Sequence, residues 1–441
     1  MSKVIFSRPM SPRCAVRGWF GWVVCDSLRG LWHIRRTLVV VTAVYAFVLL
    51  LLLPFVCTNL PYCKLYRNRI GDFSNALNYN SIRTKNAENF IQTLDPAKTK
   101  ALYEQHEDTC CPRFAIGVIT TKRGSSGGKD KPMYLTQVMA RLHEVLTAND
   151  AIPKTALFMC NVDPYHKTHK EFQALTTLFP YRIKYIRSSF IFEAKHEKEK
   201  LDYMFCLREA LDFQPKYVIL VEDDALPHLD FYQVLEHVLR TKLETTIKAG
   251  ELVENDEEWL WLKLNFPDNL SFFERNWYFA IEWVALSLFV SGSFTLALHI
   301  VYQCRLRNDV EENRGYHGSW LYLVFAFSFL LVFACLVILE RPYFTYLRSY
   351  SKHFYSLGPG TSCCTPAVLF PAGQAPYVIG FLKHTHCNSQ YPLDFALENY
   401  RLQRGLRQYL ISPNIFRHIG MYSALRGKYN EREASKYLFE E

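Results

Sequence analysis

Glu222, Asp223 and Asp224 are three adjacent carboxylates that end an apolar run in the 441-residue chain. Three adjacent carboxylates repel one another unless a cation lies among them. A hard divalent ion such as manganese or magnesium meets that need and can hold a diphosphate as well. In a transferase that splits a nucleotide sugar, closely spaced acids at a strand end divide the work, one facing the ribose and one the metal. A solvated acidic turn is the plainer reading of the same residues. His418, in Arg417-His418-Ile419-Gly420, could return to that metal as a neutral imidazole, or be only structural. Asp394 lies in Pro392-Leu393-Asp394-Phe395, at a helix start. It reads as an acid favoured by the helix dipole or as a general base for an acceptor hydroxyl. Cys363 and Cys364 either bond to each other or stay separate, and Cys160 with Cys206 suit a staple across a sheet.

The acids close the run Tyr217-Val218-Ile219-Leu220-Val221, with Pro227 just beyond. A short, wholly apolar run reads as a strand buried on both faces of a parallel sheet, and such sheets bind ligands outside their carboxyl ends. Upstream, Phe114 to Thr121 is a first strand, followed by Lys122, Arg123 and a Gly/Ser-rich loop from Gly124 to Lys129. That loop could cradle phosphate through its N–H groups, although a surface loop explains it equally. Strands are expected at Thr155–Asn161, Arg182–Ile186 and Trp259–Phe266, and helices at Met133–Leu146, Phe172–Leu178, His196–Leu211 and Leu229–Leu243. This alternation predicts an α/β domain with a doubly wound, mostly parallel sheet. Later come a strand at Val368–Phe370, helices at Ala375–His386 and Pro392–Arg404, and a short strand at Tyr409–Ile411.

The formal charge of +9 is dispersed, without the Lys/Arg block of a nucleic-acid partner. Leu38 to Cys57 is long and apolar enough to cross a bilayer, and too late in the chain for a cleaved signal. Ile281–Tyr302 and Ser319–Leu339 form a second and a third apolar run with a short polar loop between them, a membrane hairpin. Lys3, Arg8, Arg13, Arg17, Arg29, Arg35 and Arg36 face only Asp26 in the tail, which the positive-inside rule places in the cytosol. Arg305, Arg307 and Arg314 place the hairpin loop there too. The expected layout is a tail (1–36), a span (37–57), a lumenal stem (58–112), the first part of one domain (113–280), the hairpin (281–302, 303–318, 319–339) and the second part of that domain (340–441). Cys63, Cys110, Cys111, Cys160, Cys206, Cys363, Cys364 and Cys387 then share an oxidising lumen, and no pair has zinc-site spacing. Trp277 and Trp283 read as an interfacial aromatic belt, and Asn269-Leu270-Ser271 as a glycosylation sequon.

Several segments resemble a known family in order. They are FMCNV at 158–162, HEKEKLDYMFCL at 196–207, YVILVEDDALP at 217–227, SCCTPAVLFPA at 362–372 and PNIFRHIGMYSALR at 413–426. The chain resembles the post-GPI-attachment GalNAc transferase family, Golgi glycosyltransferases with a domain split by two membrane helices. The resemblance implies a GT-A-type, Rossmann-like glycosyltransferase domain using UDP-GalNAc and manganese. It implies donor contacts from Thr121, Glu222, Asp223, Asp224, Thr365 and Pro366, and metal ligation by Asp223, Asp224 and His418. It implies Asp394 as the base of an inverting transfer, and disulfides Cys160–Cys206 and Cys363–Cys364. The implied acceptor is a mannose on GPI-anchored proteins or GPI glycolipid, reached by a multi-pass Golgi protein whose catalytic domain is lumenal and whose hairpin keeps it among membrane lipids. The rival readings are a GlcNAc transferase acting on N-glycans and a catalytically inactive membrane scaffold.

Overall fold

The apolar runs form the strands of one eight-stranded sheet. They are β1 (Phe114–Thr120), β2 (Thr155–Asn161), β3 (Tyr181–Ile183), β4 (Tyr217–Glu222), β8 (Trp259–Lys263), β9 (Ser356–Pro359), β10 (Ala367–Pro371) and β11 (Arg407–Ser412). Short ribbons supply β5 (Ala225–Pro227) with β12 (Phe416–His418), β6 (Thr245–Lys248) with β7 (Glu251–Glu254), and β13 (Tyr422–Ser423) with β14 (Lys428–Tyr429). The computed structural model describes residues 39–67, 71–108, 111–123, 132–185, 195–248, 251–254, 259–306, 317–360, 362–424, 427–431 and 437. The tail, the Gly/Ser-rich loop Gly124 to Lys129, Cys110, Arg307 and Arg314 lie outside those residues, as do the side chains of Asn269 and Arg305.

The chain divides into two units, Met1–Arg67 with Trp277–Glu340, and Asn68–Asn276 with Arg341–Glu441. In the second unit the sheet order is β3-β2-β1-β4-β10-β8-β11-β9. Strands β3, β2, β1 and β4 are parallel, as expected. The sheet as a whole is mixed rather than mostly parallel. Strand β10 enters antiparallel between β4 and β8, and β9 is antiparallel to β11. The reversal has a structural consequence, because Ala367 pairs with Val221 and the loop before β10 therefore lies at the acidic end of β4.

Helices cover both faces, which is why β4 is apolar on both sides. They are α1 (Asp72–Gln92), α2 (Pro96–Asp108), α3 (Tyr134–Ala148), α4 (Lys170–Leu175), α5 (Lys195–Leu211), α6 (Phe231–Val238), α7 (Ala375–Lys383) and α8 (Leu393–Arg404). Tyr217, Ile219 and Val221 pack with Leu135, Val138 and Leu235 on one face. Val218 and Leu220 pack with Leu207, Val378 and Leu397 on the other. The stretch expected as a stem contributes two helices to this unit. Gln137 of α3 donates to Asn80 and Thr84 of α1 at 3.0 Å each, and Tyr103 of α2 meets His143 of α3 at 2.7 Å. The expected disulfides Cys160–Cys206 and Cys363–Cys364 are both formed. The helix expected at 229–243 is α-helical only to Val238 and widens into a π-type turn through Leu243.

The first unit holds three helices long and apolar enough to span a bilayer: Val39–Cys57, Trp277–Val301 and Leu321–Leu339. Trp283, expected in an aromatic belt, has a partner on the neighbouring helix. It stacks on Phe333 at 3.6 Å, and its indole N–H donates to the Phe333 carbonyl at 3.1 Å. A partly buried indole seeks an acceptor, and this one finds it in the seam between two helices. Trp277 stays 61% exposed against Tyr278. Lys64 pairs at 3.1 Å with Glu340, which is buried.

Candidate functional site

The site begins where β4 ends. Glu222 is the last residue of the strand and Asp223 and Asp224 form the turn after it, where Glu222 and Asp224 gather with His418 while Asp223 shares Arg123 with Asp224. Asp223 accepts from the Thr120 hydroxyl at 2.8 Å and from Arg123 Nη2 at 2.5 Å. Thr120 in turn meets His169 Nε2 at 3.1 Å, and burial pulls the His169 imidazole down to about 4, so it is neutral. With the Phe172 amide donating to Nδ1, the proton belongs on Nε2 and points at Thr120.

The β5/β12 ribbon supplies the opposite wall. His418 pairs with Ala225, which sets its ring beside Asp224, with Nε2 3.4 Å from Asp224 Oδ2. The Ile419 amide donates to the Asp224 carbonyl at 2.8 Å. Asn265 donates to the Phe416 carbonyl at 2.7 Å and steadies the ribbon. Gly420 is required by close approach, since a Cβ there would lie 1.9 Å from Asp224 Oδ2.

Glu222, Asp224 and His418 each offer one ligand atom within a 4.8 Å span. Asp224 Oδ1 is buried without a hydrogen-bond partner among the described residues. A buried, unpartnered carboxylate oxygen is costly unless a cation meets it. Carboxylates with one imidazole also suit manganese, so the residues present fit a divalent ion. Asp224 and His418 are thus brought together as expected. Asp223 is held by Thr120 and Arg123, and Glu222 stands in the group of three.

The charges follow this geometry. Burial, then Asp224, pushes the Glu222 carboxyl up to about 7, against the pull of His418 and Arg123. Burial works against the Asp224 carboxylate, but Arg123 and His418 outweigh it and hold it well below the usual range. Burial also disfavours charging His418, yet Asp224 and Glu222 raise it overall.

The loop before β10 forms the third side. The Glu222 amide donates to the Pro366 carbonyl at 2.7 Å, which ties Thr365 and Pro366 to the acids. The fully buried Lys263 donates to the Cys363 carbonyl and, at 3.1 Å, to that of Cys364. Burial pulls the Lys263 ammonium down to about 8, with Asp394 and Glu398 opposing. Asp394, in the first turn of α8, accepts the Cys364 amide at 3.3 Å. Thr121 donates to Asp163 at 3.1 Å, beside the Lys122 amide at 2.9 Å on the same oxygen.

Sequence reasoning missed Arg123 and Lys263. Arg123 was one of several polar residues after β1, and nothing in its spacing shows that it reaches both Asp223 and Asp224. Lys263 carries a signal that could have found it: a lone cation ending the buried, otherwise apolar strand Trp259–Lys263 needs acceptors.

Glu171 underlies the same corner. Its Oε1 accepts from the Thr136 amide at 2.7 Å and the Thr136 hydroxyl at 3.1 Å. Burial pushes this carboxyl up to about 7, with Asp223 adding to the rise. The fold therefore holds a proton that the unfolded chain releases near 4.5, and stability falls as pH rises from about 4.5 to about 7. Glu171→Gln is expected to melt higher than the parent at pH 8 and equally at pH 4, read by melting temperature in metal-free buffer.

The family model described as GPI-N-acetylgalactosamine transferase PGAP4 matches residues 114–417. The chain belongs to that family. The match begins at β1 and covers both segments of the unit that holds the sheet, together with the two long apolar helices between them. It includes the acids of β4, the 363–366 loop and Asp394. Membership in the GPI-N-acetylgalactosamine transferase family makes this chain a glycosyltransferase.

Proposed function

We propose that the protein transfers N-acetylgalactosamine from UDP-GalNAc to a mannose of the GPI-anchor glycan, with a divalent metal such as manganese and with inversion at the anomeric carbon. It would do so as a multi-pass Golgi membrane protein with its catalytic unit in the lumen. The observation that carries this reading is the family match over residues 114–417. The Cys160–Cys206 bond adds support for an oxidising compartment.

Glu222, Asp224 and His418 would hold the ion, which when bound supplies positive charge to the departing UDP. Asp223, oriented by Thr120 and Arg123, takes the ribose. Thr121, Thr365 and Pro366 line the donor, and the amide-to-carbonyl bond from Glu222 to Pro366 keeps that loop in register with the acids. Asp394 removes the proton from the acceptor hydroxyl. The acceptor oxygen bonds to the anomeric carbon as that carbon's bond to the diphosphate breaks, and the electron pair leaves with UDP. The membrane spans confine enzyme and lipid-anchored acceptor to one surface, which raises their effective concentration.

The test is the product made from equimolar UDP-GalNAc and UDP-GlcNAc with a GPI-glycan acceptor. The reading predicts a β-linked GalNAc on mannose, identified by NMR. A GlcNAc product or an α linkage would contradict it.

A further inference from the structure

Arg123 is the one strong cation built into the acid cluster among the described residues. Its Nη2 donates to Asp223 Oδ1 and its Nη1 to Asp224 Oδ2, both at 2.5 Å. Nη1 also donates to the Tyr422 carbonyl at 2.9 Å, and the guanidinium lies 5.3 Å from the Tyr134 ring centroid. The Tyr134 hydroxyl accepts from the Met421 amide at 2.8 Å, so ring and carbonyl belong to one fixed frame. The side chain is only 12% exposed. This is a built position, not a surface arginine that folds over the nearest acid.

Asp224 Oδ2 is therefore shared. It faces Arg123 at 2.5 Å and His418 at 3.4 Å. A divalent ion held by Glu222, Asp224 and His418 would share a carboxylate with a buried guanidinium. Two cations on one carboxylate, shielded from water, repel strongly. Added negative charge facing both would relieve that repulsion, and a nucleoside diphosphate brings it.

We propose that Arg123 makes metal binding depend on nucleotide, by depressing the affinity of the free site for a divalent cation until a nucleoside diphosphate is present. This rests on the metal and nucleotide reading given above. Arg123 acts through the two aspartates and the field at the site, so it is a positioning and tuning residue.

The experiment is Mn2+ binding to the full-length protein in detergent, read from the free-ion EPR signal with and without UDP. Wild type, Arg123→Lys and Arg123→Gln are compared, with melting temperature as the control for folding. Without UDP, Arg123→Gln is expected to bind Mn2+ at least about tenfold tighter than wild type. Its dependence on UDP should largely vanish. Arg123→Lys keeps the charge and should stay close to wild type. If Arg123→Gln does not fold, the pair is removed together as Arg123→Gln with Asp223→Asn. That double variant must then bind Mn2+ more tightly than Asp223→Asn alone. Equal or weaker Mn2+ binding by the uncharged variant, with wild type binding normally beside UDP, overturns this inference alone. Failure of wild type to bind Mn2+ even with UDP overturns the metal reading and this inference with it.

Discussion

Gly420→Ala is expected to cut turnover by about a hundredfold or more while the protein stays folded. The added Cβ would sit 1.9 Å from Asp224 Oδ2 and 2.6 Å from its Cγ. Neither side can yield cheaply. Asp224 is held by Arg123 on its carboxylate and by the Ile419 amide on its carbonyl. If the carboxylate turns, it leaves His418 and Glu222. If the backbone at 420 backs away, His418 moves with its strand. Either path spoils the ligand set, and overpacking itself should cost about 1–3 kcal/mol of stability. Steady-state kinetics beside a melting curve separate the two effects. Near-normal turnover in this variant would show that the Asp224 carboxylate need not hold its place.

Asp394→Asn is expected to lower kcat by about 10²–10⁴-fold with donor affinity nearly unchanged. An amide oxygen can still accept the Cys364 amide, which Asp394 does at 3.3 Å, so the loop over the acids keeps its anchor. What the asparagine cannot do is take a proton. The signature is a drop in kcat at constant KM for UDP-GalNAc. A rise in KM with kcat retained would make Asp394 a loop anchor and leave the base elsewhere.

Much of this arrangement was legible from residue types. The run from Tyr217 to Val221 announced a doubly buried strand, and β4 is that strand. The alternation of strands and helices between 114 and 211 predicted the three strands that run parallel with it, of which β1 is its neighbour, because local pattern decides those elements. The direction of β10 was not legible. Val368–Phe370 reads the same forwards and backwards, and only its pairing with Leu220 and Val218 sets it antiparallel. The acids were legible as a group, but what each one meets depends on the turn after β4 and on Arg123, which lies about a hundred positions upstream of the aspartates it binds. His418 reaches Asp224 through a three-residue ribbon with β5, a long-range pairing that no window of sequence contains. Gly420 was visible only as the glycine after His418 and Ile419, and its need appears once Asp224 packs against it.

The central claim is that the acids ending β4 hold a metal that carries a UDP-sugar donor. The most direct measurement is release of UDP from UDP-GalNAc by the purified full-length protein, with manganese and a GPI-glycan acceptor, beside Asp224→Ala. The account predicts release that requires the acceptor, stops on chelation and is lost in the variant. Release that persists in Asp224→Ala would contradict it.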